Sequence, residues 1–178
     1  MKKIEWFWNM IHYMLYRWDI SFSIALNYTL PFYWINKIPA VRRHKEKIGM
    51  PKMNDYYREM MNNPKHGSSI IWAGGEIGVI FILFTASIFN ILQTVLDFKN
   101  LYSCIYENIL YIILYLILII MPGYFICQKL LFQNDKYLEY FSEFDQIPKN
   151  KKIIWGFVTL FIIILDISLF LGSFVLIH

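Results

Sequence analysis

Little in this sequence is suited to covalent chemistry. Its two cysteines, Cys104 and Cys127, would stand about 34 Å apart on one helix at the standard rise, which excludes a disulfide between them. The four histidines, His12, His44, His66 and His178, have no spacing suited to a shared metal and read as surface or interfacial residues. HExxH and GxSxG do not occur, so zinc-protease and serine-nucleophile arrangements have no support. GGEIG at 74–78 has small residues four apart but lacks the flanks of a phosphate loop. The expectation is a non-enzyme with no cofactor, no metal and no catalytic residue.

Charge is equally thin. Asp, Glu, Lys and Arg make up 17% of the 178 residues, against 57% hydrophobic and 19% aromatic. A soluble domain carries about 25% charged residues. In their place stand three long apolar runs, 70–96, 105–132 and 153–177, each beyond the roughly 20 residues that cross a hydrocarbon core. The expected fold class is an all-α integral membrane protein, with three transmembrane helices bundled over 70–178.

No cleavable signal peptide is legible at the start, because Asn9, His12, Arg17 and Asp19 interrupt its apolar stretch. Residues 1–18 read instead as an amphipathic interfacial helix. Ile4, Phe7, Ile11, Leu15 and Trp18 share one face, and Glu5, Asn9, His12 and Tyr16 lie on the other. Residues 20–35 are short for a span and carry Asn27 and Pro31. They read as a re-entrant or interfacial hairpin, with a fourth crossing as the alternative, so 1–35 forms an N-terminal membrane-associated segment.

Residues 36–69 are polar and basic, broken by Pro39, Pro51 and Pro64, with a short helix expected over 55–61 capped by Asn54. Arg42, Arg43, Lys45 and Lys47 concentrate its charge, and Lys136, Lys149, Lys151 and Lys152 mark the loop 133–152. Basic residues favour the cytoplasmic side. Both stretches are therefore expected inside, with 97–103 and the C-terminus outside. Frequent Lys, Asn, Ile and Tyr fit a low-GC coding bias, and a bacterial inner membrane is the expected location. Arg42 and Arg43, with Tyr56 and Tyr57 nearby, also suit a soluble acidic partner or nucleic acid. Orientation and attraction to anionic lipid explain the cluster without either.

Each run is two-faced. On 70–96, Gly74, Gly78 and Thr85 form a small-residue side for helix packing, while Glu76, Ser87, Asn90 and Thr94 form a polar one. On 105–132, Glu107, Asn108, Tyr111 and Tyr115 share a sector with Cys104 and Pro122. That proline frees the Leu118 carbonyl and predicts a kink over 121–123. On 153–177, Trp155, Thr159, Asp166 and Ser173 make a narrow stripe, and Ser168 with Gly172 a second small-residue pair.

Asp166 is the costliest residue, at roughly 2.5–3.5 kcal/mol near mid-membrane. Lys129 is the lone basic residue in the three runs, near the inner end with Glu76 in reach. Asp166 has three resolutions: a protonated acid bonded to Tyr115 or Asn90, a lining for an ion or proton path, or a pairing with another protein's basic residue. The expected function is a non-enzymatic membrane subunit that forms a homo-oligomer or binds another membrane subunit within the lipid bilayer. The alternative is a small pore or a proton or cation conductor around Asp166.

Overall fold

The computed structural model describes residues 2–49, 59–96 and 108–175. Among them the chain is all-helical, with no strand. The helices are α1 (Lys2–Thr29), α2 (Pro31–Lys37), α3 (Pro39–Lys47), α4 (Ser68–Val95), α5 (Ile109–Cys127), α6 (Lys136–Asp145) and α7 (Lys149–Val175). A wide π turn, Gln128–Phe132, and a 3-10 turn, Gln133–Asp135, join α5 to α6. Three helical runs are long and apolar enough to cross a membrane: α4, α7, and the continuous stretch from α5 into α6. Glu107 and Cys104 of the expected second span lie outside the described residues, as do Asn54, Tyr56, Tyr57 and the start of the expected 55–61 helix. Residues 59–61 of that helix are helical, and the helix continues to Asn62.

The N-terminal region differs from its expectation. One 28-residue helix, α1, replaces a separate 1–18 helix followed by a hairpin. It stops at Leu30, whose extended backbone (φ −74°, ψ 136°) is what a following proline demands. Ile38 before Pro39 repeats the device, so no single helix covers 20–35. Despite its length, α1 is not among the runs apolar enough to span, because Glu5, Asn9, His12, Arg17 and Asp19 are dispersed along it.

The chain divides into two compact units. The larger comprises Met1–Ile11 and Glu76–His178. Its core sits where α4, α5, α6 and α7 meet the first turns of α1. Phe81 of α4 lies against the Trp8 ring at 4.5 Å. A Cβ added to Gly123 would sit 3.3 Å from the Phe81 Cβ. α5 therefore comes against the α4 backbone at a glycine in its own last turns. Trp6 meets Phe144 and Trp155 edge-on, each at 5.3 Å, contacts worth about 0.5–1.5 kcal/mol apiece. Asn90 near the end of α4 bonds Ser173 near the end of α7, so these two helices run parallel, and α5 runs opposite to α4.

The same contacts fix which end carries the N-terminus. Glu5, Trp6 and Asn9 reach Lys136, Glu143 and Leu130, at the end of the bundle that bears the basic loop 133–152. That loop is not irregular. Tyr137, Phe141 and Phe144 recur at i, i+4 and i+7 and bury one side of α6. Asn134 and Asp135 take left-handed φ values of 60° and 53°, the conformation their side chains tolerate best, and turn the chain into α6.

The second unit is His12–Gly75. Tyr16 donates its hydroxyl to the Asn62 carbonyl. The turn into α4 is built by Asn63, whose Oδ1 accepts from the amides of Lys65 (2.8 Å) and His66 (3.1 Å). Gly67 is required there, since a Cβ would stand 2.5 Å from the Asn63 carbonyl oxygen.

Candidate functional site

The polar residues of the larger unit are few, and most have an inexpensive local partner. Thr85 donates to the Phe81 carbonyl, Ser87 to Leu83, Thr94 to Asn90, Thr159 to Trp155 and Ser168 to Ile164. Each returns to a carbonyl one turn back, which keeps a hydroxyl satisfied without a neighbouring helix. Between α4 and α7, the Asn90 Nδ2 donates to Ser173 Oγ at 2.9 Å in a buried setting. Ser173 passes its own proton to the Phe170 carbonyl at 2.6 Å, so its lone pair is what holds Asn90.

On α7, Thr159, Asp166 and Ser173 are buried and lie seven residues apart, on one inward line. Trp155 begins that line, packed on Trp6 and Phe7. Asp166 is 5% exposed, and neither carboxylate oxygen has a hydrogen-bond partner among the described residues. The expected bonds to Tyr115 or Asn90 are not made. Asn90 is engaged by Ser173, two turns and about 10.5 Å along the axis from Asp166, and Tyr115 packs on the Phe89 ring at 5.3 Å.

The other expected positions are dispersed. Ser87 and Asn90 turn inward, whereas Glu76 is exposed and Thr94 half-buried. Asn108 is not part of the second span: it caps α5, its side chain accepting from the Leu110 amide at 2.9 Å. Tyr111 is exposed, and so is Lys129, in the π turn. α5 continues through Pro122 to Cys127, and the departure from α geometry follows that cysteine. Gly74, Gly78 and Thr85 are half-buried, and Ser168 and Gly172 exposed. A Cβ at Gly78 or Gly172 would meet nothing within 4 Å, whereas one at Gly123 would stand 3.3 Å from the Phe81 Cβ. Arg42, Arg43, Lys45 and Lys47 lie on α3, none of whose residues is buried.

Three buried polar residues were not legible as such. Gln93, 4% exposed, has no partner among the described residues for either end of its amide. It lies one turn beyond Asn90, and that spacing was the available signal. Asn9 and His12, expected on the wet face of α1, are fully buried. Asn9 donates to the carbonyls of Glu5 (2.8 Å) and Leu130 (3.1 Å), the latter in the π turn. Burial pushes the His12 imidazole down to about 3 and raises the Asp19 carboxyl.

No family model, curated protein or solved structure matches this chain. Function rests on the geometry alone.

Proposed function

We propose that this chain is a non-enzymatic membrane subunit that acts by associating with a second copy of itself or with another membrane subunit. Its seat in this reading is a bacterial inner membrane, with the C-terminus outside the cytoplasm. One observation carries the proposal. Gly78 on α4 and Gly172 on α7 face open space, although small residues in lipid-facing helices are the positions at which another helix backbone packs closely. Within the chain Gly123 lies against α4, while the Gly78 and Gly172 faces are open, and in this reading a neighbour fills them.

Native mass spectrometry from lipid discs tests it. The wild type is expected as an assembly, and Gly78→Leu and Gly172→Leu are expected to shift it toward monomer, on the order of ten-fold for a loss of about 1.4 kcal/mol of packing. Ile113→Ala, at an exposed apolar position without a small-residue partner, is the control. A wild type that is monomeric and copurifies with no other membrane protein refutes the proposal.

Asp166 supports the second reading, a proton or cation conductor, because an unbonded acid inside a helix bundle is a functional position by default. Proton and cation flux into proteoliposomes separates the two. Asp166→Asn abolishes flux on the conduction reading, Asp166→Glu keeps part of it, and absence of flux in the wild type ends that reading.

A further inference from the structure

Two short helices of the His12–Gly75 unit are tied to each other and to the end of α1, where Trp34 donates to the Tyr28 carbonyl at 3.1 Å and the Tyr33 ring meets Tyr28 at 4.8 Å. α2 has seven residues and α3 nine, each below the roughly 12–15 that an isolated helix needs to persist in water. No side-chain cap supports either start, and proline at the first position supplies only a preset φ. Apolar residues on and beside them are uncovered: Trp34 is 60% exposed, and Ile35, Ile38 and Ile48 are exposed as well. An amphipathic helix normally draws its stability from the surface that covers its apolar face. Among the described residues, Trp34, Ile35, Ile38 and Ile48 keep their apolar surface exposed.

The chemistry around those residues selects its kind. The Lys37 ammonium stands 4.5 Å from the Tyr33 ring centre and 4.9 Å from that of Trp34. Lys45 donates to the Asn36 side chain and ties α3 back to α2. Arg42, Arg43 and Lys47 complete five basic side chains, against a single acid, Glu46, which Arg42 pairs at 3.5 Å. Aromatic rings with a polar edge, aliphatic residues and an excess of Lys and Arg match the headgroup zone of an anionic leaflet. An acidic protein or a nucleic acid matches the charges alone and leaves Trp34, Ile35, Ile38 and Ile48 in water.

We propose that α2 and α3 lie in the interface of an anionic phospholipid leaflet, with Trp34, Ile35, Ile38 and Ile48 at the acyl boundary and the basic residues on lipid phosphates. The helices are then a lipid-dependent element, ordered by the charge of the leaflet. Each basic residue near such a surface multiplies binding roughly five-fold, so five of them respond steeply to lipid composition and to salt. This inference is independent of the association reading above, since it concerns α2 and α3 and not the Gly78 and Gly172 faces of α4 and α7.

The test uses the full chain with Ile35→Cys as the sole thiol, Cys104 and Cys127 being replaced by serine, and an environment-sensitive fluorophore attached. It is reconstituted into vesicles of brominated phosphatidylcholine, with or without brominated phosphatidylglycerol. The expected result is quenching and blue-shifted emission in anionic vesicles, and a water-exposed probe in zwitterionic ones. Arg42→Gln with Arg43→Gln should remove roughly twenty-five-fold of the interfacial population, as should salt added to the wild type. A probe in water in both vesicles overturns the proposal. Equal quenching in both overturns the role of charge. Protection that appears only when RNA or an acidic protein is added assigns the surface to that other class. A probe at Ile48→Cys repeats the measurement independently, and Trp34→Phe difference spectra read the same quenching if loss of Cys127 unfolds the chain.

Discussion

His12 should make this protein acid-labile in a way that one substitution removes. Its imidazole is fully buried, and burial alone pushes its pKa down to about 3 from 6.5. The unfolded chain therefore binds a proton that the folded chain refuses throughout that interval. A base depressed in this way leaves stability intact above pH 6.5 and takes it away as pH falls toward 3. At 1.36 kcal/mol per unit, acidification to about pH 5 costs on the order of 2 kcal/mol. That corresponds to roughly 4–8 °C in Tm for a chain of this size. Asp19 works against it: burial raises its pKa, so its contribution grows as the pH falls through that raised value and is lost as pH rises. Comparing the wild type with His12→Gln isolates the imidazole, because Gln does not titrate and Asp19 is common to both. The measurement is thermal unfolding in detergent between about pH 8 and pH 5. The two chains should diverge below pH 6.5, with the variant flatter even if its absolute Tm is lower. Parallel slopes would refute the claim that His12 is buried as a neutral base.

Three further outcomes follow from contacts already described. Gly123→Ala asks Phe81 to yield a few tenths of an ångström and should cost little, whereas Gly123→Leu should cost about 1–3 kcal/mol, read as a lower Tm. A double-mutant cycle of Asn90→Leu and Ser173→Ala should give a coupling of about 0.6 kcal/mol, the usual size for a hydrogen bond between membrane helices; zero coupling would mean that the bond is not formed. Cysteine placed at Lys47, in a background without the two native thiols, should react with an impermeant reagent only after permeabilisation. Labelling in intact cells would reverse the orientation drawn from charge.

What was legible in the sequence was whatever a helical period imposes on an apolar background. The line Thr159, Asp166, Ser173 stands out because a polar residue every seventh position among leucines and isoleucines has few faces to occupy, and those residues do point inward. The three long apolar helices were legible for the same reason. Periodicity is silent on what a face touches. Gly78, Gly123 and Gly172 look alike in sequence, and only the fold shows that Gly123 receives a backbone while the other two do not. On α1 the same reasoning misled: the polar side carrying Asn9 and His12 is buried, and at Asn9 the Leu130 carbonyl supplies a partner. α6 was hidden by its charges, Lys136, Glu139, Glu143 and Asp145, which disguise the spacing of Tyr137, Phe141 and Phe144. Breaks set by proline were partly legible: Pro31 was noted, but its effect of ending one long helix depends on Leu30 adopting the extended backbone.

The π turn at Gln128–Phe132 makes the inner corner of this protein a matter of counting residues. A π turn holds one residue more than an α-helix needs for the same advance, so the chain carries a surplus there that Asn9 helps to retain through the Leu130 carbonyl. Removing one residue would let the segment relax to ordinary α geometry and rotate everything after it by about 100°. Tyr137, Phe141 and Phe144 would then leave the side on which Trp6 waits, with no side chain altered. At this corner the length of the chain, more than the identity of any residue, sets which face of α6 is buried.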